Sequence, residues 1–216
     1  MTLNVKWIMK RNYICLILFT FFFFLSSFNV VKGSQAPLTI ILDAGHGGVD
    51  PGTVVDDIKE KDINLKITLK LKEKLEQKNI RVLLTRDKDY DLASPGISRR
   101  KKSDFDHRIL KINESKADYY LSIHLNFLED TTYYGPQVFY TKDNKELALK
   151  IQKQLNEKLA SKRKVKKISN TIYMYSKLNI PGVLIECGFL SNKEEREKLL
   201  TDDYIDKLAS VIASSF

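Results

Sequence analysis

The sequence predicts a single α/β domain over residues 37–216, with a central, mostly parallel sheet flanked by helices. Short apolar runs of strand length alternate with charged stretches of helical periodicity, which is the pattern of this fold class. Two of the three histidines follow apolar runs, at the strand ends where α/β sheets place their ligands. The chain is long enough to bury one core, and no second module is visible.

The first 36 residues indicate an N-terminal signal peptide or membrane anchor. Lys6, Lys10 and Arg11 precede an uncharged apolar stretch over residues 13–31. This stretch is near the length of about 20 residues that spans a bilayer, and it exceeds the usual core of a cleavable signal. Pro37 would directly follow a cut after Ala36 and disfavours that cut. We therefore expect an exported, membrane-anchored protein whose α/β domain lies outside the cell, on the outer face of the membrane or in the cell wall.

Five strands and four helices are predicted within the domain. Apolar runs predict the strands, near residues 38–43, 80–85, 119–124, 136–140 and 182–187. Apolar residues at helical spacing between charges predict the helices, near residues 62–78, 101–116, 144–160 and 202–214. The basic run over residues 161–167 is expected to be a solvated loop, and the alternative is a patch that binds the cell wall.

One carboxylate falls inside the last predicted strand. Glu186 interrupts the apolar run Pro181-Gly-Val-Leu-Ile-Glu-Cys-Gly-Phe189. Because burying an unpaired carboxylate is costly, Glu186 should be paired, bound to a metal or kept as a proton carrier. Burial also raises the pKa of a carboxyl group, which suits general acid–base catalysis. The alternative is a structural ion pair with a Lys or Arg residue.

Two histidines end predicted strands and suggest a metal site. His46 follows the first strand in Asp43-Ala-Gly-His46-Gly-Gly48, where small residues let the backbone approach a bound ion or substrate. His124 ends the run Tyr119-Tyr-Leu-Ser-Ile-His124. Neutral imidazoles favour zinc, and a catalytic zinc needs about three protein ligands. One ligand stays unassigned, because residues 56–62 offer four carboxylates. Each histidine alone has the alternative of an ordinary packed residue.

Four motifs in a fixed order carry a resemblance to a known family. They are Asp43-Ala-Gly-His46-Gly-Gly48, Glu60-Lys-Asp-Ile-Asn-Leu65, Ser122-Ile-His124-Leu-Asn126 and Glu186-Cys-Gly-Phe-Leu-Ser-Asn192. Together they resemble the zinc-dependent N-acetylmuramoyl-L-alanine amidases, and the likeness covers nearly everything after residue 36. Two further segments resemble the germination-specific spore-cortex branch, or CwlD type: Ser98-Arg-Arg-Lys-Lys-Ser-Asp104 and Gly135-Pro-Gln-Val-Phe-Tyr140.

The resemblance implies that His46, Glu60 and His124 bind zinc and that Glu186 is the catalytic carboxylate. Two neutral imidazoles and one carboxylate leave a zinc ion with net positive charge, which suits activation of water and polarisation of an amide. Glu186 is then expected to take a proton from the water and return it to the leaving nitrogen.

Three further polar residues near the motifs are candidates for supporting roles. Asp43 is expected to orient His46 through the second ring nitrogen of that histidine. Arg86 and Asn126 follow predicted strands and are candidates for holding substrate peptide or sugar. Alternatively, Arg86 pairs with a nearby carboxylate and Asn126 closes a turn. His107 lies in a charged helical segment, where we expect it to face solvent outside the site.

Charge and cysteine content agree with an exported enzyme. The net charge is +9, and it is +5 without residues 1–36, a balance that suits an anionic wall and does not require nucleic acid. Cys15 lies in the apolar N-terminal segment, so Cys187 has no disulfide partner within the domain. Cys187 is expected to be a small core residue. The alternative, a nucleophilic thiol, requires an exposed electropositive setting.

The resemblance implies a peptidoglycan hydrolase that cuts the amide between N-acetylmuramic acid and the L-alanine of the stem peptide. Its germination-specific branch implies a role in spore cortex maturation, through muramic lactam formation, and in germination, with the enzyme in the spore-forming compartment. Alternatives are a vegetative autolysin of the same chemistry, a non-catalytic wall-binding homologue, and another zinc hydrolase such as a peptidase or sugar deacetylase. The intact set of His46, Glu60, His124 and Glu186 argues against a non-catalytic homologue.

Regulation is expected to come from outside the catalytic domain. Only about ten residues separate His124 from Gly135, which is too few for an inhibitory helix with its connections. No appended wall-binding repeat is visible in the sequence. We therefore expect membrane tethering and a separate activating protein partner to control the enzyme.

Overall fold

The computed structural model describes residues 36–141, 144–169 and 171–216. The apolar segment predicted as a signal peptide or membrane anchor lies outside the described residues. Within the described ranges, no helix combines the length and apolar character that a membrane crossing requires.

A six-stranded sheet forms the centre of the domain. Its strands, in chain order, are β1 (Thr39–Ala44), β4 (Arg81–Leu84), β5 (Tyr119–Asn126), β6 (Gln137–Tyr140), β7 (Lys166–Lys167) and β8 (Gly182–Phe189). Their spatial order is β4-β1-β5-β8-β6-β7. The pairs β4–β1, β1–β5 and β5–β8 are parallel, whereas β6 runs antiparallel to β8. The prediction of a mostly parallel sheet is confirmed. A separate hairpin pairs β2 (Val54–Val55) with β3 (Ile58–Lys59).

Helices cover both faces of the sheet. They are α1 (Glu60–Glu76), α2 (Arg100–Glu114), α3 (Lys145–Leu159), α4 (Tyr173–Ser176), α5 (Lys193–Leu199) and α6 (Asp202–Ala213). The apolar sides of α1, α3 and α6 pack into the core on one face, through residues such as Ile67, Ile151 and Leu208. On the other face, Ile112 of α2 and Met174 of α4 belong to a second apolar cluster.

The alternation of side chains along β5 places the candidate site on the α2 and α4 face. Leu121 and Ile123 belong to the core beneath α1, whereas Tyr120 belongs to the cluster with α2 and α4. Because strand side chains alternate between faces, His124 lies on the same face as Tyr120, near the carboxyl end of the strand. The same rule applies to β8, where Ile185 and Cys187 belong to the α1 core and Glu186 lies between them.

Some elements escaped sequence-based prediction. The five predicted strands and four predicted helices are present with shifts of a few residues at their ends. The short elements β2, β3, β7, α4 and α5 were not predicted, because they are too short to show a periodicity. The expectation that residues 161–167 form only a solvated loop is wrong in part. Lys166 and Lys167 pair with Phe139 and Tyr140 as an edge strand, and an edge of lysines disfavours further strand pairing.

Candidate metal centre

His46 lies in the turn that follows β1. Its backbone has a left-handed φ of 60°, an uncommon conformation for a residue other than glycine. Its Nδ1 atom lies 2.9 Å from Oδ2 of Asp50, and its Nε2 atom lies 3.3 Å from Oε2 of Glu60. The contact with Asp50 orients the ring, and Nε2 faces the carboxylate of Glu60.

Glu60 is the first residue of α1 and is only 3% exposed. Its Oε1 atom accepts hydrogen bonds from Nδ2 of Asn64 and from the backbone N–H of Leu125, both at 3.1 Å. Its Oε2 atom accepts one from the backbone N–H of Thr53 at 3.0 Å. These three donors fix the carboxylate at the end of the sheet.

His124 completes a group of three potential metal ligands. Its Nδ1 atom lies 3.0 Å from Oε1 of Glu60, and its ring meets the ring of His46 edge-on, with centroids 5.0 Å apart. One ligand atom from each of His46, Glu60 and His124 falls within 4.8 Å of the others, so the three residues can hold a metal ion. The structure thus brings together the three residues that the resemblance implied as ligands.

The electrostatics of the group favour a cation between its members. Burial opposes ionisation of Glu60, but hydrogen bonds with His124 and His46 outweigh it and hold the pKa of Glu60 well below its usual range. Burial likewise lowers the pKa of His46, yet Asp50 and Glu60 raise that pKa to about 9. The carboxylates of Asp50 and Glu60 thus attract positive charge to this position. A metal ion would have to displace a proton from His46, because only a neutral imidazole is a ligand.

Glu186 lies on β8, directly beside the metal-ligand group. Its register partner on the neighbouring strand β5 is His124. Its Oε2 atom is buried and accepts no hydrogen bond from any residue that the structure describes. Burial raises the pKa of Glu186 to about 7; the charge of Glu60 adds to this rise and the two histidines oppose it. Among the described residues, no Lys or Arg pairs with Glu186 or shifts its pKa, which argues against the structural ion-pair alternative.

A carboxyl group that titrates near neutrality beside a three-ligand metal site is equipped for hydrolysis of an amide or ester. The sequence of residues 40–216 matches the N-acetylmuramoyl-L-alanine amidase family. The chain belongs to this family. The family membership that the four motifs implied is therefore confirmed.

Individual relatives of the amidase agree with this assignment. The germination-specific N-acetylmuramoyl-L-alanine amidase of Bacillus subtilis (strain 168) is 36% identical over 218 residues, which cover 97% of this chain and 92% of that protein. The structure of the CwlD amidase from Clostridioides difficile in complex with the GerS lipoprotein matches with a TM-score of 0.78 and 43% identity, covering 82% of this chain and 95% of that one. An N-acetylmuramoyl-L-alanine amidase from Clostridium difficile 630 matches with a TM-score of 0.72 and 33% identity, covering 84% and 95%.

The expected contact between Asp43 and the ring of His46 is wrong. In the amidase, the carboxylate that contacts Nδ1 of His46 belongs to Asp50. Asp43 instead accepts hydrogen bonds from Arg108, Thr85 and Ser122, at 2.8, 2.7 and 2.9 Å. Burial opposes its ionisation, but the Arg108 guanidinium leads the contacts that hold the pKa of Asp43 below its usual value. Asp43 therefore supports the site through Arg108, which also donates to the backbone carbonyl of His46 at 2.6 Å.

Arg86 is a buried structural residue, and neither sequence-based interpretation of it is correct. Its side chain is 1% exposed and donates to the backbone carbonyls of Ala44, Gly45 and Lys61, each at 2.9 Å. It thereby joins the turn that carries His46 to the helix that begins with Glu60. Arg86 has no access to a substrate, and its hydrogen-bond partners are carbonyls rather than a carboxylate.

The other polar candidates differ in their outcomes. Asn126 is half-buried at the end of β5, where its backbone carbonyl accepts a hydrogen bond from the backbone N–H of Leu190 at 2.9 Å. Its role in substrate binding stays a prediction.

His107 lies on α2, partly buried rather than facing solvent as expected, and its Nδ1 atom contacts the carbonyl of Ser103 at 2.8 Å. Cys187 is fully buried in the core, and burial raises its pKa well above the ordinary value, as expected for a residue without a nucleophilic role.

Two residues of the site were missed by sequence reasoning. Asp50 contacts His46 across a turn, and no periodicity marks such a contact in a sequence. Arg108 follows Asp104 by four residues on α2, and its Nε atom donates to Asp104 at 2.8 Å. An Asp–Arg pair at this helical spacing is a recognisable signal, although it does not reveal that both side chains are buried.

Replacing Arg108 by alanine should strongly destabilise the amidase. The Arg108 side chain is buried, and its removal leaves the carboxylate of Asp43 without its cationic partner in the interior. Breaking a buried ion pair in this way costs about 3–5 kcal/mol of the free energy of unfolding. Urea denaturation measures the loss. The matched control is Lys102→Ala, which removes the exposed ion pair with Asp106 on the same helix and should leave the transition unchanged. Equal midpoints for the two variants would contradict the role assigned to Arg108.

Replacing Gly45 by alanine should weaken metal binding. A Cβ atom at position 45 would lie 2.2 Å from Cε1 of His124, so the ring must leave its position beside Glu60. We expect at least a tenfold loss of metal affinity in a chelator competition. Gly96→Ala is the control for metal affinity: its left-handed φ of 73° disfavours alanine, but a Cβ atom there meets no atom within 4 Å, so the metal ligands are undisturbed. Unchanged affinity in Gly45→Ala would show that the observed His124 position is not required for binding.

Proposed function

We propose that the amidase is a zinc-dependent peptidoglycan hydrolase, which cuts the amide between N-acetylmuramic acid and the L-alanine of the stem peptide. The observation that supports this is the convergence of His46, Glu60 and His124, with Glu186 as the neighbour of His124 on the adjacent strand. Two imidazoles and one carboxylate form a donor set typical of catalytic zinc. A bound zinc ion would supply a Lewis acid that polarises the amide carbonyl and lowers the pKa of a water molecule.

Glu186 is proposed to carry the proton through the reaction. Its unpartnered Oε2 atom is available to accept a proton from the attacking water. As the bond between the carbonyl carbon and the nitrogen breaks, the same carboxyl group returns the proton to the nitrogen, which leaves as an amine. A pKa near neutrality suits both transfers, because the group must accept the proton and then donate it.

We propose that the biological substrate is spore cortex peptidoglycan. The Bacillus subtilis relative that matches this chain along nearly its whole length is named as a germination-specific amidase. Removal of the stem peptide from muramic acid would allow another enzyme to form muramic lactam, a mark for germination enzymes. Cortex from a strain that lacks the amidase should then lack muramic lactam, whereas unchanged lactam content would favour the vegetative alternative.

We also propose that the enzyme is exported, remains attached to the membrane and acts with a protein partner. Lys6, Lys10 and Arg11 before the uncharged stretch over residues 13–31 support export and anchoring. The structure of the CwlD amidase from Clostridioides difficile is a complex with the GerS lipoprotein, which supports a protein partner for the present amidase as well.

Digestion of purified peptidoglycan tests the proposed reaction. The purified protein, loaded with zinc, is incubated with wall material, and the released peptides are identified by mass spectrometry. Peptides with a free L-alanine amino terminus are expected, whereas release of acetate or of shorter peptides would indicate a deacetylase or peptidase. Elemental analysis of protein purified without added metal identifies the ion that is bound.

A further inference from the structure

A cavity of about 150 Å³ adjoins the two histidines of the metal centre. His46, His124 and Gly45 line one side, at the ends of β1 and β5. The other lining residues are the paired Asp43 and Arg108, Phe105 from α2, and residues 172–175, which include the short helix α4. The cavity therefore adjoins the metal-ligand residues, and Phe105, Ile172 and Met174 give it an apolar wall beside the buried ion pair.

Apolar packing and hydrogen bonds hold this wall in place. Met174 is 4% exposed and is part of the apolar cluster beneath α2 and α4. The hydroxyl of Tyr175 lies 3.2 Å from Oγ of Ser122 on β5, and the hydroxyl of Tyr173 donates to Oδ1 of Asp106 on α2 at 2.6 Å. Residues 172–175 are thus attached both to the sheet and to α2 by hydrogen bonds that do not involve a ligand.

The size of the cavity suits one small substrate unit. A cavity of roughly 150 Å³ accommodates a ligand the size of benzene, which has six heavy atoms. The amide that joins N-acetylmuramic acid to L-alanine is flanked by two units of nearly that size, the D-lactyl unit on the carbonyl side and the alanyl unit on the nitrogen side. Each unit carries a single methyl branch. Because the cavity adjoins the metal ligands, a unit beside the scissile amide is within its reach.

We propose that this cavity is a specificity subsite for the methyl-bearing unit beside the scissile amide, with Phe105, Ile172 and Met174 as its apolar wall. This inference rests on the proposed function and specifies the substrate of the same site. The apolar wall favours the methyl branch, and the limited volume excludes a larger side chain at the same carbon. The D-lactyl and alanyl units share this chemistry, and the experiment distinguishes between them.

Synthetic N-acetylmuramoyl dipeptides test the subsite. The parent compound is compared with analogues that lack one methyl group, with glycolyl in place of lactyl or glycine in place of L-alanine. Two bulky analogues carry an isobutyl branch in place of either methyl group. Loss of the methyl group that occupies the cavity should lower kcat/KM about 10-fold or more, as is usual for one carbon in an apolar pocket. Loss of the other methyl group should have a much smaller effect.

Variants of the wall provide the second arm. Ile172→Ala widens the cavity at a residue that is 45% exposed, and Met174→Ala widens it deeper in the core. Relative to the parent compound, both should improve cleavage of the bulky analogue of the occupying unit by about tenfold. Leu149→Ala is the matched control for Ile172, because Leu149 is 48% exposed and lies on α3. The same preference among the analogues in Ile172→Ala, Met174→Ala and Leu149→Ala would overturn the proposal.

Binding measurements separate the subsite from the reaction. If the wild-type protein cuts none of the compounds, the proposed function fails for them, and titration calorimetry of the same series on the zinc-loaded protein decides about the cavity. Weaker binding of one methyl-lacking analogue, with recovery of its bulky counterpart in Ile172→Ala, supports the subsite. Equal dissociation constants for parent and analogues overturn it.

Discussion

Glu186→Gln should retain bound metal and lose nearly all turnover. The glutamine side chain is similar in size to that of glutamate, so it should not displace His46, Glu60 or His124. The metal ligands therefore stay in place. The glutamine cannot accept the proton of the attacking water at the position of Oε2, to which no described residue donates a hydrogen bond in the native protein. General acid–base catalysis contributes about 10²–10⁴-fold to a rate, and kcat should fall by that factor. Elemental analysis and peptide release from peptidoglycan measure the two properties on the same preparation.

Glu195→Gln is the matched control for this substitution. Glu195 is a buried glutamate near β8, and its two oxygens accept hydrogen bonds from the backbone N–H groups of Gly135 and Phe189, both at 2.8 Å. Its replacement should reduce stability and leave kcat of the remaining folded protein within a few-fold of the wild type. Parallel loss of metal and of turnover in Glu186→Gln would instead make Glu186 a ligand.

His46→Ala should abolish both metal binding and activity. The substitution removes one of only two imidazoles from a group in which the ligand atoms lie within 4.8 Å of each other. It leaves Glu60 and His124, and two ligands are too few to hold zinc in a catalytic site. If the bound metal is zinc, as proposed, it should stabilise the wild-type fold by an amount that grows with the logarithm of the ratio of zinc concentration to dissociation constant. The thermal midpoint of His46→Ala should therefore no longer respond to added zinc.

His107→Ala provides the comparison for that experiment. His107 lies on α2 and contacts the carbonyl of Ser103, outside the metal-ligand group. This variant should keep the zinc-dependent shift of the thermal midpoint and the activity of the wild type. A zinc response that persists in His46→Ala would remove His46 from the proposed ligands.

Parts of the site could be predicted from short stretches of sequence, because a strand with a polar residue in it has a local signature. An apolar run that ends in His124 predicts a strand with a functional residue at its end. An apolar run that is interrupted by Glu186 predicts a strand with a functional residue inside it. Neither prediction needs information from other parts of the chain. The strands β1, β5 and β8 lie where these runs predicted them. The identity of Glu60 as the third potential ligand came from the resemblance, since four carboxylates over residues 56–62 are equivalent in composition.

The amino-acid pattern was enough to predict the fold class, the two histidines of the metal centre and the unusual position of Glu186, whereas Glu60 and the family came from the motif resemblance. The tertiary structure alone decided which side chains support the metal centre. Asp50 rather than Asp43 contacts the ring of His46, because the turn after β1 folds back on itself and brings the two residues together. Arg86 and Arg108 donate to backbone carbonyls of that turn, and such contacts depend on chain segments that lie far apart in sequence. Periodicity reports which face a residue occupies, but only packing determines what it touches there.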